Sequence, residues 1–209
     1  MKAIEGHATF KNNLTPATKE KMEQLKNGQA PETFLITCSD SRICPNAMTN
    51  TDFGELFVVR NAGNTLPASG EQSGDADAAT LEYAVKALGV KEIVVCGHTK
   101  CGAVGALMDG VDSNQLPVIS KYLDRLQPLK EKAVEAKMST DQVIVENIKA
   151  QLSNILSYDF VKEKVKAGDA EGARVAMEYH LTSVEPAVPG AHQQPTFGGQ
   201  PDRRPLDET

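Results

Sequence analysis

The chain has 209 residues and a formal charge of −6. That is one domain's worth of sequence, and it argues against a nucleic-acid binder, whose surface would carry a basic face. Hydrophobic residues make up 40% and charged ones 24%, with no Trp and 5% aromatics: an ordinary globular balance with a mostly aliphatic core, and no run of about 18 apolar residues to span a membrane.

In chain order, Met1 to Phe10 has no apolar h-region and no Arg-rich pattern. Neither a signal peptide nor a transit peptide is read there, and the expected location is the cytoplasm. Thr15-Pro16 starts a helix that runs to Lys26, with Asn27-Gly28 ending it. Thr33 to Thr37 is short, apolar and β-branched, which predicts a buried strand; Glu55 to Val59 predicts a second. Asp75 to Leu88 reads as a helix, with Ala79, Tyr83 and Ala87 four apart and Gly89 as its stop. Lys91 to Cys96 predicts a third strand. A turn holding His98 then leads to a helix over Gly102 to Met108.

Leu116 to Lys137 reads as helical, bent near Pro128. Ser139 and Gln142 form a capping box for a long helix whose apolar face is Ile144, Ile148, Leu152, Ile155 and Leu156. Tyr158-Asp159 breaks it, and Val161 to Ala167 resumes. Arg174 to Val184 holds a last strand. Strands that are continuous apolar runs and alternate with helices predict an α/β fold: a mostly parallel sheet of four to five strands flanked by helices. The domain spans 1–184. Residues 185–209, rich in Pro and Gly, read as a tail.

The four cysteines are Cys38, Cys44, Cys96 and Cys101. In a cytoplasmic chain they point to metal or catalysis rather than a disulfide framework. Cys44 and Cys96 are expected to be buried free thiols. Cys38-Ser39-Asp40-Ser41-Arg42 follows the first strand, and His98-Thr99-Lys100-Cys101 follows the third. In α/β sheets, sites form at the carboxyl ends of strands. The two loops can therefore bring Cys38, His98 and Cys101 together, and two thiolates with an imidazole suit zinc. The fourth position falls to water or to Asp40. An Arg42–Asp40 pair would keep that carboxylate ionised and oriented. Gly97, Gly102 and Gly105 match no phosphate loop and are expected to allow close packing and a tight turn.

These segments, with Gly54 to Asn64 and Leu81-Glu82-Tyr83-Ala84-Val85, resemble the β-class carbonic anhydrases; weaker similarity runs through Glu146-Asn147-Ile148 and Gln151 to Gly168. The resemblance implies reversible hydration of CO2 to bicarbonate and a proton by zinc-bound hydroxide. It implies Cys38, His98 and Cys101 as zinc ligands and Asp40 and Arg42 as the catalytic dyad. Gln29, Phe57, Ala62, Tyr83 and Gly102 would bind substrate. It also implies a homodimer or a dimer-based higher oligomer, with an N-terminal helix clasping the partner. Leu35 and Thr37 stand where members with an inhibitory bicarbonate site have Trp and Gly, so the site resembles the open type, with water as fourth ligand. Two rival readings are a carbonyl sulfide or carbon disulfide hydrolase on the same scaffold, and a structural zinc closed by Asp40.

Overall fold

The computed structural model describes residues 2–71 and 74–166 and the backbone of Met177–Tyr179. Two helices come first, α1 (Lys2–Asn12) and α2 (Pro16–Leu25). Sequence gave no sign of α1, because none of its residues is buried and no apolar stripe marks it. Thr15 caps α2 as expected, its hydroxyl accepting from the Thr18 amide at 3.1 Å.

Strands β1 (Thr33–Cys38), β2 (Leu56–Asn61) and β3 (Glu92–His98) lie where the apolar runs placed them; β1 starts as expected and runs one residue further, while β2 and β3 start one residue later and end two later. A three-residue strand, β4 (Met177–Tyr179), falls inside the predicted last strand; the rest of that segment and the 185–209 tail lie outside the described residues. The sheet is wholly parallel, in the order β2-β1-β3-β4. Phe34 to Cys38 are all buried. Successive side chains on a strand point to opposite faces, so β1 is covered on both.

The strand order decides where a site can form. From β1 the chain moves outward to β2, then returns past β1 to β3 on the other side. Loops leaving the carboxyl ends of β1 and β3 diverge and leave a crevice at this switch point. Cys38 ends β1 and His98 ends β3.

A short helix, α3 (Pro45–Thr49), follows Cys44. Cys44 precedes the helix as its N-cap and is exposed, which corrects the expectation of a buried thiol; Cys96, inside β3, is buried as expected. Helix α4 (Ala76–Glu82) begins at Asp75, whose carboxylate accepts from the Asp77 and Ala78 amides. It widens to a π-helix over Tyr83–Leu88, where a uniform α-helix was expected. Gly89 and Val90 both donate to the Ala84 carbonyl. Those bonds reach one residue further back than an α-helical ending would, and so open the last turn. The stripe that revealed this helix faces outward: Ala79, Tyr83 and Ala87 are exposed, while Ala78, Leu81, Ala84 and Val85 fill the core.

Beyond β3 come α5 (Gly102–Asp109), α6 (Pro117–Leu123) and α7 (Gln127–Glu135). A 3-10 turn over Asp124–Leu126 makes the predicted break just ahead of Pro128. The capping box of Ser139 and Gln142 starts α8 (Thr140–Ser157), and α9 (Asp159–Lys166) follows. The buried face of α8 carries Val143, Asn147 and Gln151 beside Ile144, Ile148 and Ile155. Leu156, assigned to that face from its spacing, is 41% exposed. Among the described residues no helix is long and apolar enough to cross a membrane.

Gly97 lets α8 approach β3: a Cβ there would lie 2.7 Å from Ile148 Cδ1. Nothing lies within 4 Å of a Cβ at Gly102 or Gly105. Of the three glycines flanking this loop, close packing is therefore the role of Gly97 alone.

Candidate metal centre and active site

Cys38, His98 and Cys101 converge at the switch-point crevice. All three are buried, with their ligand atoms within 4.8 Å of one another. The two sulfurs are 4.0 Å apart. Zn–S bonds of about 2.3 Å at the tetrahedral angle require about 3.8 Å, so the pair is spaced for one ion. His98 Nδ1 lies 3.0 Å from the Thr99 carbonyl, which can only accept, so Nδ1 carries the proton. That leaves Nε2 with a free lone pair. It is fully buried and has no hydrogen-bond partner. A buried acceptor without a donor is costly, and facing two thiols it has the chemistry of a metal ligand.

The thiols share their protons unequally. A hydrogen bond from Cys101 draws the Cys38 thiol well below its ordinary range, helped by the Gly63 and Asp40 amides. The same bond, with burial, pushes Cys101 up. The amides of Ala103 and Val104, in the first turn of α5, act against that rise. The surroundings thus favour negative sulfur at Cys38, the form that binds metal, while Cys101 keeps the shared proton.

Asp40 sits at the mouth of the group, its Oδ2 3.9 Å from His98 Nε2. Arg42 holds both of its oxygens: Nε donates to Oδ1 at 2.9 Å and Nη2 to Oδ2 at 2.8 Å. The Arg42 amide adds a third bond to Oδ1 at 3.0 Å. These contacts hold the Asp40 carboxyl far below the usual carboxylate range. Arg42 Nη2 also donates to the Lys100 carbonyl at 3.2 Å, tying the two ligand loops together. Lys100 takes a left-handed conformation (φ 53°) to present that carbonyl.

Two contributors escaped the sequence reading. Arg60 lies within a quoted motif but had no role there; its Nε donates to the Cys38 carbonyl at 3.1 Å and its Nη2 to the Asp40 carbonyl at 2.8 Å. Asn147, on α8, donates to the Gly63 carbonyl at 2.9 Å. Both act on main-chain oxygens, which no residue pattern reveals.

The expected substrate residues divide into two groups. Ala62 follows the end of β2 and Gly102 follows Cys101, so both lie at the metal group's end of the sheet. Phe57 pairs with Phe34 near the start of β1, whereas Asn61 pairs with Cys38. Four residues of strand put Phe57 about 13 Å away from the cysteine. Tyr83 packs on Phe57, ring centroids 6.0 Å apart, and is 51% exposed. Gln29 is exposed in the loop before β1. One chain therefore does not bring Gln29, Phe57 and Tyr83 to its own metal group.

A sequence model of the carbonic anhydrase family matches residues 33–183. A carbonic anhydrase of Pseudomonas aeruginosa is 39% identical over 79% of this chain and 77% of its own length. One from Helicobacter pylori is 37% identical over 79% and 80%. Among solved structures, the β-carbonic anhydrase CcaA superposes with a TM-score of 0.77 at 31% identity, covering 86% of this chain and 88% of that one. A tetrameric β-carbonic anhydrase of Sordaria macrospora gives 0.71 at 25% identity, over 85% and 89%. With its parallel sheet, its Cys-His-Cys group and its Asp–Arg pair, the chain belongs to the carbonic anhydrase family, in its β class.

Proposed function

We propose that the protein catalyses the reversible hydration of CO2 to bicarbonate and a proton, with zinc held by Cys38, His98 and Cys101. The observation that carries this reading is the buried, unpartnered Nε2 of His98 facing two thiols at metal spacing. Zinc in such a site supplies a water activated near neutral pH and a Lewis acid for the developing charge.

The chain's own groups supply the rest. Asp40, kept ionised by Arg42, has Oδ2 free enough at the mouth to accept a hydrogen bond from the reacting water and orient it. The fork from Arg42 gives Asp40 a competing partner, which supports the open type, with the fourth position left for water. Ala62 and Gly102 border the site from the same chain. Gln29, Phe57 and Tyr83 reach a site only in a second copy, and the outward stripe with Tyr83 supports that arrangement. The working unit is a homodimer or a multiple of it, acting in the cytoplasm.

A structural zinc closed by Asp40 is the second reading, favoured only by the 3.9 Å approach of Asp40 to His98. The test is stopped-flow CO2 hydration with a pH indicator on zinc-verified protein at about pH 8.5, above the pKa near 7 that zinc gives water. A rate far above buffer, lost together with zinc in Cys38→Ser, establishes the enzyme. Full zinc with no rate supports the structural reading instead.

A further inference from the structure

The loop after β2 passes directly beneath the metal group, and it is held from the far side by one face of α8. Asn147, Gln151 and Asn154 lie one turn apart on that face. Asn147 Nδ2 donates to the Gly63 carbonyl at 2.9 Å. Asn147 Oδ1 accepts from Gln151 Nε2 at 2.9 Å. Gln151 Oε1 accepts from the Leu66 amide at 2.8 Å, and Asn154 Nδ2 donates to the Leu66 carbonyl at 2.7 Å. Asn147 and Gln151 are each 1% exposed.

This chain of bonds has a fixed polarity. The Leu66 amide can only donate, so it fixes the Gln151 carbonyl. Gln151 then presents its NH2, which fixes the Asn147 carbonyl. Asn147 has only its NH2 left to offer Gly63. No flipped arrangement satisfies all four groups.

What the relay holds is an unusual piece of backbone. Gly63 (φ 79°) and Asn64 (φ 50°) are consecutive left-handed residues. A Cβ at Gly63 would lie 3.2 Å from Ala103 Cβ, so the turn is pressed against the first turn of α5. Two residues before Gly63, Asn61 pairs with Cys38 across the ends of β2 and β1, so the turn lies between the chain segments that carry Cys38 and Cys101. The Gly63 carbonyl is the one Asn147 grips. Glycine takes such a φ freely, but Asn64 keeps its left-handed conformation only where its surroundings favour it.

We propose that Asn147 is a positioning residue for the metal centre: acting through Gly63, with its own amide oriented by Gln151, it fixes the turn that packs between the segments carrying Cys38 and Cys101 and so sets the affinity of the Cys38–His98–Cys101 group for its ion. This rests on the reading of those three residues as metal ligands. Partners beyond the direct ligands govern affinity in metal sites generally, by about 10–100-fold.

The test compares full-length wild-type protein with Asn147→Asp, Gln151→Glu and Tyr158→Phe. Asn147→Asp keeps the acceptor for Gln151 and removes the donor to Gly63. Gln151→Glu leaves Asn147 in place but removes the donor that orients it, and serves if Asn147→Asp does not fold. Tyr158→Phe deletes another buried bond from the end of the same helix to the same stretch of chain, the 2.8 Å bond to the Pro67 carbonyl, beyond the relay. The readouts are the zinc dissociation constant, by competition with a chromogenic chelator, and the visible spectrum of the cobalt(II)-substituted protein, whose sulfur-to-cobalt band reports the environment of the two thiolates. Thermal midpoints of the metal-free proteins are measured alongside. The expected result is zinc binding weakened about 10-fold or more and a shifted sulfur band in Asn147→Asp and Gln151→Glu. Tyr158→Phe should bind zinc like wild type, with only a lower thermal midpoint. Folded relay variants with wild-type affinity and spectrum would overturn the proposal, as would an equal loss of affinity in Tyr158→Phe. Failure of the wild-type protein to bind either metal would overturn the ligand assignment itself, a separable outcome.

Discussion

Gly97→Ala probes the contact that sets the distance between α8 and the sheet. The new Cβ would lie 2.7 Å from Ile148 Cδ1 and 2.9 Å from its Cγ1. Ordinary carbon contacts begin near 3.5 Å, so the overlap approaches 1 Å. Ile148 is 1% exposed, so its displaced side chain must push on packed neighbours. The helix cannot simply retreat, because the neighbouring Asn147 is bonded to Gly63. Overpacking of this kind costs 1–3 kcal/mol, and a clash with no easy escape belongs at about 2 kcal/mol. Ile148→Val costs about 1 kcal/mol alone, but it deletes the Cδ1 that the alanine strikes. The double variant should therefore lose only about 2 kcal/mol, a coupling of about 1 kcal/mol between the sites. The assay is urea unfolding of zinc-saturated protein at one fixed protomer concentration, followed by far-UV circular dichroism because the chain has no Trp. Additive losses, within about 0.4 kcal/mol, would refute the steric account.

Arg42→Lys keeps the charge but not the fork that orients Asp40; the CO2 hydration rate should fall about tenfold or more with zinc content unchanged, checked by stopped flow and metal analysis. Mixing a Cys38→Ser chain with a Phe57→Asp chain, each inactive alone, should restore activity in about a quarter of the sites of an equal mixture, because a mixed dimer regains one intact site; no recovery in mixed dimers isolated by two tags would show that each site is built within one chain. Lys132 and Lys149 draw the Glu146 carboxyl from its ordinary 4.5 down to about 2. Its folded-state value is depressed, so its contribution is present above pH 4.5 and is lost as pH falls toward 2. Glu146→Gln should therefore flatten the acid side of a stability-against-pH curve, by about 1 kcal/mol or less at physiological salt, since both lysines are largely exposed. Ser139→Ala breaks the capping box and should cost about 1 kcal/mol in the same urea assay.

The parts of the fold that could be read from sequence are those where one residue type does one job. Phe34 to Thr37 is buried on both faces, so it appears as an unbroken apolar run. Ser139 and Gln142 bond each other's backbone, so the pair shows as a spacing. Cys38, His98 and Cys101 were legible because two end buried strands, the third follows in the next loop, and they have few other uses together. Asn147 and Gln151 were not, because a search for apolar periodicity passes over polar residues; Leu156 took their place on paper and is exposed in fact. Arg60 grips carbonyl oxygens, which every residue has. Tyr83 misled in a different way. Its stripe correctly announced a helix, but the apolar residues four apart were the outward ones. An exposed apolar stripe obeys the same period as a core.

Cys38 and Cys101 stand 63 positions apart in the chain. A denatured chain that tried to hold an ion between them would first have to close that loop, at an entropic cost of about 4 kcal/mol. The native sheet has already brought them together, so the ion prefers the native chain to the denatured one by about a thousandfold on this account alone. Had both thiols come from one short loop, a denatured chain would bind the ion almost as well, and metal would add little to folding. With metal bound, the separation in sequence would make the group a fastener between the first and third strands, and conformational stability should then track the supply of metal.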